Sequence, residues 1–504
     1  MKYVNRPLSL LVAGALVVTL AGCSGSAVST LTASSAAGTV LSATESEFSL
    51  EGATAFTFTD GGISAAEGDY NGYTIEGTAL TISAAGTYVL SGSCADGSIT
   101  VKASTEDVTM ILNGLELTST TTAPIVCGKS TGVTIAVQSG TQNTLADTAA
   151  NNKDSENASA DAESAVLKCK DGAQVVLCGS GTLNISAAGK NGIKSGTENE
   201  GREASLTIRE LTLNIDAPVN DAVNAEQTLN VESGTLNISA GDDALHSDYT
   251  LNIGAEDIAG PVITISACNE GLEGATLNVF SGIIDITATD DCLNAANGDL
   301  TDYDFSMNIS GGTITAYTSG GDGFDSNGSL TISGGTVTVW TANTADNQPL
   351  DADGTVTISG GTVLAAGGSS GMSMKLQADQ SCVLFSGSLD KGSSFSITDS
   401  QGSTLYEGTA QCRACFLLLS GENVTVGNTY SLTSGGSEAA TAQAQTGTVS
   451  SGMGGMGGPG GNRGPGGDMG GQQPGDGQFG GQRPTGGPGG EPPTGGPGDR
   501  KSNS

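Results

Sequence analysis

A six-residue phrase recurs seven times between residues 190 and 352 and constrains the fold more than any other feature of the chain. Its copies read KNGIKS, NDAVNA, DDALHS, NEGLEG, DDCLNA, GDGFDS and NQPLDA. Between them lie segments such as SMNISGGTITAY, in which apolar residues occupy every second position on either side of a turn. This alternation predicts short β-strands, about three in a repeat of roughly two dozen residues.

Two architectures are compatible with strands this regular, a β-sandwich and a parallel β-helix. A sandwich needs hairpins and about seven strands in total. In this sequence, by contrast, the same alternation of inward apolar and outward polar residues begins again in each repeat. In a parallel β-helix, equivalent residues of successive coils stack, which explains the constant phrase directly. We therefore predict an all-β protein with a parallel β-helix over residues 51–366. The fourth residues of the phrase are expected to stack inside it: Ile193, Val223, Leu245, Leu272, Leu293, Phe324 and Leu350.

The two ends of the chain are predicted to lie outside this fold. Residues 1–23 have the layout of a secretory signal, with Lys2 and Arg6 before an apolar stretch. They close with LAGC, which resembles the bacterial lipobox and predicts a lipidated Cys23. The protein is therefore expected to be extracytoplasmic and anchored to the cell membrane.

Three further segments complete the predicted organisation. Residues 24–50 are rich in Ser, Thr and Ala, which is typical of a linker. Residues 367–435 are predicted to form a small C-terminal β unit that caps the open end of the coil. Residues 436–504 end in a Gly- and Pro-rich tail, which cannot bury enough apolar surface to fold and is predicted to be disordered.

The chain carries 18 Lys and Arg against 53 Asp and Glu, for a formal net charge of -35. Binding to nucleic acid is excluded as a function, because neutralising phosphates requires clustered basic residues. The tail is nearly neutral by residue count, so the acidic excess lies in the middle of the chain.

Carboxylates occupy five of the seven second residues and three of the seven fifth residues of the repeated phrase. Neighbouring strands lie about 4.7–4.9 Å apart, and Ca²⁺ binds oxygen at about 2.3–2.6 Å. One ion therefore fits between two stacked carboxylates. For any single residue the alternative is an Asx-turn or a solvated surface, but the recurrence of acids in the same columns favours metal for the ladder as a whole. The predicted metal ligands are Asp221, Asp242, Asp243, Glu270, Glu273, Asp290, Asp291, Asn294, Asp322, Asp325 and Asp351.

Four other residues are candidates for contact with a sugar. Lys194 and His246 belong to the outward column of the phrase, although a lone exposed His commonly has no further role. Tyr317 and Trp340 follow strands of neighbouring coils and could offer aromatic stacking faces. Packing in the core or at an edge is the commoner role of such rings.

The phrase KNGIKS with its relatives DDALHS and GDGFDS, the SGGT turns and the run LNGLELTSTTTAPIVCGKSTGVTIAVQSGTQNTLADTA resemble a bacterial family over about residues 75–435. This is the family of carbohydrate-binding domain-containing proteins. The resemblance implies a right-handed parallel β-helix, similar to polysaccharide lyases, that holds calcium through acidic residues of its coils. It also implies binding of cellulose and of acidic sugars such as polygalacturonate, without established cleavage. The family's usual DGI becomes DAL, EGL and DCL in middle copies, NGI in the first and QPL in the last, which leaves metal binding by the terminal repeats open.

Three functions follow as hypotheses. The first is a lipid-anchored protein that binds polysaccharide through calcium and prefers polygalacturonate-like glycans to cellulose, since calcium can bridge protein and uronate carboxylates. The second is a calcium-dependent polysaccharide lyase. Such an enzyme needs a base, and the acidic ladder offers few basic side chains, namely Lys190, Lys194 and His246, which makes this the less favoured hypothesis. The third is a structural surface protein in which the ladder serves stability alone.

Overall fold

The computed structural model describes residues 48–66, 71–256, 258–342, 347–368 and 374–450. These residues form 38 β-strands and one short 3₁₀ helix, Ala149–Asn151, so the prediction of an all-β protein is confirmed. Within these ranges no helix is long and apolar enough to cross a membrane. The signal peptide, Cys23 and residues 451–504 of the predicted tail lie outside the described residues.

The strands are numbered in chain order. Those of the amino-terminal part are β1 Thr54–Thr59, β2 Gly62–Ala65, β3 Tyr73–Glu76, β4 Ala79–Ile82, β5 Gly86–Cys94, β6 Ser98–Val101, β7 Val108–Ser119, β8 Ile125–Cys127, β9 Gly132–Val137 and β10 Gln142–Asp147. Those of the middle part are β11 Ala165–Cys169, β12 Gln174–Gly179, β13 Thr182–Ser186, β14 Asn191–Ser195, β15 Ser205–Ile208, β16 Thr212–Ala217, β17 Val223–Ala225, β18 Thr228–Val231, β19 Thr235–Ala240, β20 Leu245–Ile253, β21 Val262–Ala267, β22 Leu272–Val279, β23 Ile283–Ala288, β24 Leu293–Ala295, β25 Ser306–Ile309, β26 Thr313–Thr318, β27 Phe324–Ser326, β28 Ser329–Ile332, β29 Thr336–Thr341, β30 Val356–Ile358 and β31 Thr362–Gly367. Those of the C-terminal part are β32 Lys375–Leu389, β33 Ser394–Asp399, β34 Thr404–Thr409, β35 Ala414–Ser420, β36 Thr429–Ser434, β37 Ser437–Gln443 and β38 Gln445–Ser450.

Most strands pair in parallel with a strand of the next repeat, and the pairs form three ladders. The first ladder includes β12, β15, β18, the second halves of β20 and β22, β25, β28 and β30. The second ladder includes β10, β13, β16, β19, β21, β23, β26, β29 and β31. The third ladder includes β8, β11, β14, β17, the first halves of β20 and β22, β24 and β27. Together they give one large, mostly parallel sheet.

Alternation along each strand places the apolar side chains on one common side. In β16, Leu213 and Ile215 are buried, whereas Thr212 and Asn214 are half-buried and Asp216 is exposed. Successive side chains of a strand point to opposite faces, so every repeat adds a layer to the same interior. Each fully buried Leu or Ile contributes about 1.5–3 kcal/mol relative to exposure.

The recurring SGGT turn lies at the corner between the first and second ladders. Its second glycine, at Gly312, Gly335 and Gly361, has φ of 84°, 80° and 77°. This left-handed conformation is easily reached by glycine and strained for other residues. The turn sequence is therefore what allows the chain to change direction between two strands at each of these repeats.

The C-terminal β unit consists of β32 to β38. Strand β35 pairs antiparallel with both β31 and β32, and β33, β34, β36 and β37 form a separate antiparallel sheet. Strands β37 and β38 continue to Ser450, so the predicted end of this unit at residue 435 is too early. The boundary was missed because these strands are mostly exposed; Val449, in β38, is buried where that strand pairs with β32.

Candidate metal centre

The repeated phrase occupies the third ladder in a single register. Each fourth residue lies beside its equivalent in the next repeat, from Ile193 through Val223, Leu245, Leu272 and Leu293 to Phe324. All six are fully buried, and so is Leu350 in the last copy, as the sequence predicted. Because neighbouring strand residues point to opposite faces, the fifth residues form a parallel column on the outer side: Lys194, Asn224, His246, Glu273, Asn294 and Asp325.

The first group of polar residues on this outer side is the histidine cluster, formed by Asp221, Asp243, His246 and Glu273, with Asp248 at its border. His246 Nδ1 lies 3.1 Å from Asp243 Oδ2 and also contacts Glu273 Oε2. His246 Nε2 lies 2.8 Å from Asp248 Oδ1. Ligand atoms of Asp243, His246 and Glu273 all lie within 4.8 Å of one another, so this cluster could hold a metal ion.

One protonated imidazole partly offsets the carboxylates of the histidine cluster. Burial alone would lower the pKa of His246, but its contacts with Asp243, Asp248 and Glu273 raise that pKa far above the ordinary value. Burial, reinforced by the Asp243 carboxylate, raises the pKa of Asp221 to about 6. The imidazolium therefore already supplies a cation to this cluster at neutral pH.

The second group is the carboxylate cluster, formed by Glu270, Asp291, Asp322, Asp325 and Asp351. Oxygen atoms of Asp322, Asp325 and Asp351 all lie within 4.8 Å of one another. The backbone amide of Asp322 donates to Asp291 Oδ1 at 2.6 Å, which ties two successive repeats together. In contrast to the histidine cluster, every potential ligand here is an oxygen, the donor that calcium prefers.

Burial strongly disfavours the charged forms of these acids. Burial raises the pKa of Asp291 to about 8, and the carboxylates of Asp325, Asp322 and Glu270 act in the same direction. Burial likewise raises the pKa of Glu270 to about 7, with contributions from the neighbouring Asp243, Asp290 and Asp242. A bound cation would relieve both the desolvation and the mutual repulsion.

Two amide oxygens in the outer column, Asn224 Oδ1 and Asn294 Oδ1, are buried and have no hydrogen-bond partner among the described residues. The Nδ2 group of Asn294 donates to Glu270 Oε2 at 2.9 Å, and that of Asn224 donates to Asp221 Oδ2 at 2.5 Å. A buried polar atom of this kind normally has a partner. Each amide contacts a carboxylate through its nitrogen and leaves its oxygen as a donor that suits an oxygen-preferring cation.

Gly321 lies where a larger residue would collide with two of these carboxylates. A Cβ atom added to it would lie 2.3 Å from Asp290 Oδ1 and 2.3 Å from Asp291 Oδ1. Any other side chain would displace these carboxylates, so the glycine leaves the space in which they approach the next repeat.

The predicted metal ligands divide between these groups. Asp221, Asp243 and Glu273 belong to the histidine cluster, while Glu270, Asp291, Asn294, Asp322, Asp325 and Asp351 belong to or contact the carboxylate cluster. Asp242 and Asp290 border Glu270 through their electrostatic effect on it, and Asp290 is exposed. The structure thus divides the predicted ligands between a site with an imidazolium and a site of oxygens alone, and their binding of metal stays a prediction.

The predicted sugar contacts fare differently. Trp340 is only 3% exposed and packs edge-on against Phe395 at a ring-centroid distance of 5.7 Å. The prediction that Trp340 offers a stacking face is wrong, because the C-terminal β unit covers its ring. Tyr317 remains half-buried, with the ammonium of Lys391 5.9 Å from its ring centroid.

Lys194 and His246 both have protein partners. Lys194 forms an ion pair with Glu226 at 3.0 Å, and His246 belongs to the histidine cluster. Sequence reasoning missed three neighbours of these residues, Lys168, Glu226 and Asp248. Lys168 lies outside the repeated phrase, and its position beside Lys194 follows from the strand register alone.

Comparison with known proteins identifies the family of the chain. Residues 76–371 match the family described as carbohydrate-binding domain-containing protein. Among solved structures, the polysaccharide lyase-like protein from C. thermocellum, in its gadolinium derivative, is 19% identical. That likeness covers 61% of this chain and 92% of the other, with a TM-score of 0.32. No curated protein matches the chain. Because the matched residues span more than half of its length, the chain belongs to the family of carbohydrate-binding domain-containing proteins.

Proposed function

We propose that this protein is a right-handed parallel β-helix that binds acidic polysaccharide through calcium held by the carboxylate cluster. The observation that carries the proposal is the oxygen-only environment of Asp322, Asp325 and Asp351, whose oxygens lie within 4.8 Å of one another on successive repeats. Membership of a carbohydrate-binding family supports a glycan as the partner.

Calcium suits this cluster better than the histidine cluster. Ca²⁺ takes 6–8 oxygen ligands at about 2.3–2.6 Å, and carboxylates on adjacent strands are separated by about 4.7–4.9 Å. Asp291, Asp322, Asp325 and Asp351 would hold the ion, with the partnerless Asn294 Oδ1 nearby. The histidine cluster offers a nitrogen ligand and an internal cation, so it is expected to remain metal-free.

The negative charge of the protein and the positive charge of a bound calcium ion together favour an acidic glycan as the ligand. A chain with a net charge of -35 repels a uronate polymer. The carboxylate cluster would hold calcium on the outer side of the third ladder, and the ion would supply positive charge that attracts a uronate carboxylate and reduces that repulsion. Polygalacturonate is therefore expected to bind more tightly than cellulose at this site.

Retention on immobilised polygalacturonate tests the proposal. The protein should be retained in calcium and released by chelator, and Asp322→Asn should weaken retention at least tenfold because a charged ligand is lost. Asp216→Asn is the matched control, since Asp216 is exposed on the second ladder. Retention that ignores chelation, or that falls equally in both variants, would contradict the proposal.

We also propose that the protein is an extracytoplasmic lipoprotein anchored to the cell membrane through Cys23. The lipobox-like LAGC at residues 20–23 supports this location. Mass spectrometry of protein purified from bacterial membranes should find a diacylglyceryl group on Cys23. Cys23→Ala should move the protein to the soluble fraction, and a membrane-bound Cys23→Ala variant would refute the anchor.

A second candidate function is a calcium-dependent polysaccharide lyase, and one observation favours it. Lys168 lies in register with Lys194, and burial together with the Lys194 charge lowers the pKa of Lys168. An amine with a lowered pKa can act as a Brønsted base. It would take the proton from the carbon beside the uronate carboxylate, the bond from the ring to the glycosidic oxygen would break as the double bond forms, and that oxygen would take a proton from water.

An absorbance assay separates the lyase from the binder. Polygalacturonate incubated with protein and calcium should develop the ultraviolet absorbance of an unsaturated product if the lyase is correct. Lys168→Ala and Lys194→Ala should abolish that signal, whereas Lys129→Ala, an exposed lysine paired with Asp171, should not. A flat absorbance trace together with retention on the polymer supports binding without cleavage.

A further inference from the structure

Two cysteines lie side by side on neighbouring strands of the third ladder. Cys127 is the last residue of β8 and Cys169 the last residue of β11, and the two strands pair in parallel with Cys169 in register with Cys127. Their Cα atoms are therefore one strand spacing apart, about 4.7–4.9 Å. A disulfide joins Cα atoms that are about 4.4–6.8 Å apart, so the register brings these cysteines within bonding distance.

The thiols of Cys127 and Cys169 meet inside the protein. Both residues have no exposed area, and they share the interior face with Ile125 and Leu167, which lie two positions earlier in the same strands. Both are free thiols in the structure and hydrogen-bond to each other. That hydrogen bond and burial hold the pKa of Cys127 well above its usual range. The thiolate is the reactive form, so a bond between these sulfurs has to form before the coils close over them.

The other cysteines that belong to described strand pairs have no cysteine opposite them. Their neighbours across the sheet include Leu117, Ala136 and Ser420, opposite Cys94, Cys178 and Cys382 respectively. A single buried cysteine serves as a small apolar core residue. The pair in β8 and β11 is different, because each thiol has a reaction partner one strand spacing away.

We propose that Cys127 and Cys169 form a disulfide that joins two successive repeats. Each sulfur loses its hydrogen, the bond between the sulfurs forms, and two electrons and two protons pass to a disulfide oxidant, which is reduced to a dithiol. Disulfides form and persist outside the cytoplasm, so this inference rests on the extracytoplasmic location proposed above. It goes beyond the proposed function because neither a glycan nor a metal ion takes part.

The bond closes a long segment of the chain. Residues 128–168 lie between the two cysteines and include the surface segment 148–164, which separates β10 from β11. A disulfide removes conformational freedom from the unfolded chain, and this effect grows with the length of the enclosed segment. The bond also anchors Lys168, which precedes Cys169 and lies beside Lys194 on the outer side. The disulfide therefore stabilises the repeats that carry this lysine pair.

Alkylation of the full chain tests the disulfide. Protein is purified from bacterial membranes without reductant, denatured in urea and treated with iodoacetamide, which should label two thiols fewer than after reduction. A tryptic digest should contain the peptides of Cys127 and Cys169 joined together, and Cys127→Ser should abolish the joined peptide and expose Cys169 to labelling. Cys178→Ser is the matched control, because Cys178 is buried opposite Ala136 and should leave the joined peptide intact. Equal labelling with and without reduction would overturn the proposal.

Refolding in a mixture of reduced and oxidised glutathione separates this inference from the proposed location. Glutathione supplies the oxidant directly, so the bond should form there whatever compartment the protein occupies. A bond that forms in glutathione but is missing from membrane protein would support the pairing and contradict the oxidising location. Absence of the bond from both samples would refute the disulfide, while the fate of Cys23→Ala still decides the anchor.

Urea denaturation gives a second readout that a pair of unbonded thiols would not move. Dithiothreitol should lower the urea midpoint of the wild-type chain and leave unchanged that of a variant carrying both Cys127→Ser and Cys169→Ser. Serine suits these positions, because Ser195 and Ser247 lie further along the same interior column and are buried. A wild-type midpoint that ignores the reductant, or falls equally in the variant, would contradict the bond.

Discussion

Asp291→Asn is expected to raise the stability of the protein in chelator and to reduce the stabilisation that calcium provides. Burial raises the pKa of Asp291 from 3.8 to about 8. A group with a higher pKa in the folded state contributes stability that is complete below the unfolded pKa and is lost as the pH rises through the folded pKa. In chelator, wild-type stability should therefore fall between about pH 4 and pH 8.

The size of the effect follows from this pKa. At pH 7 the unfolded chain holds Asp291 ionised and the folded chain holds it protonated, a difference of about 3 pH units or about 4 kcal/mol. Asp291 is only half-buried, so solvent screening reduces the gain to about 1–4 kcal/mol. Asparagine retains Oδ1, which accepts the hydrogen bond from the Asp322 amide. In chelator the variant should therefore have the larger free energy of unfolding.

Calcium should narrow this difference. Calcium at about 100 times its Kd stabilises the wild-type protein by about 2.7 kcal/mol, and a tenfold weaker site at the same concentration gains only about 1.4 kcal/mol. The ion also replaces the proton on Asp291, so the stabilisation by calcium should grow from pH 5 to pH 8.

Urea denaturation followed by circular dichroism, at pH 5, 7 and 8.5 with calcium or chelator, measures both effects. Asp216→Asn provides the control, because Asp216 is exposed and should respond to neither calcium nor pH in this way. A loss of stability in Asp291→Asn at pH 7 in chelator would refute the reasoning. An equal calcium response in wild type and variant would remove Asp291 from the site.

Three other changes test the remaining contacts. His246→Ala leaves the carboxylates of Asp243 and Glu273 without their cation, so the free energy of unfolding in chelator should fall by about 3–5 kcal/mol; a change below 1 kcal/mol would contradict this assignment. Gly321→Ala should weaken calcium binding at least tenfold in calorimetry, because its Cβ would lie 2.3 Å from Asp291 Oδ1; unchanged affinity would show that the space is not needed. Trp340→Ala removes a buried ring and should lower the free energy of unfolding by about 3–5 kcal/mol in urea, whereas a neutral effect would mean that the ring is exposed.

The repeated phrase predicted more of the site than composition did. Its fourth residues lie in one buried column, and its fifth residues lie in register on the outer side. This was readable because a strand has a side-chain period of two, so one apolar position determines the face of its neighbours. The family resemblance predicted from KNGIKS and its relatives is confirmed over residues 76–371.

Other features required contacts between segments that are distant in sequence. Trp340 lies in β29 in register with Tyr317 of β26, yet Phe395, 55 positions later, packs against the tryptophan ring and helps to bury it. His246 stands in the same column as the predicted ligands, but its neighbours Asp243, Asp248 and Glu273 make it a cation. Neither outcome can be read from local pattern.

The sequence by itself determined the strand period, the repeat and the two acidic columns, because these depend on alternation along one strand and on equivalence between repeats. Only the tertiary structure decided which acids share a cluster, which amide oxygens remain buried without partners, and where the C-terminal β unit closes the second ladder. The physical reason is that desolvation and charge interaction depend on distances across repeats. Loops of different lengths separate those repeats, so their spacing along the chain does not give these distances.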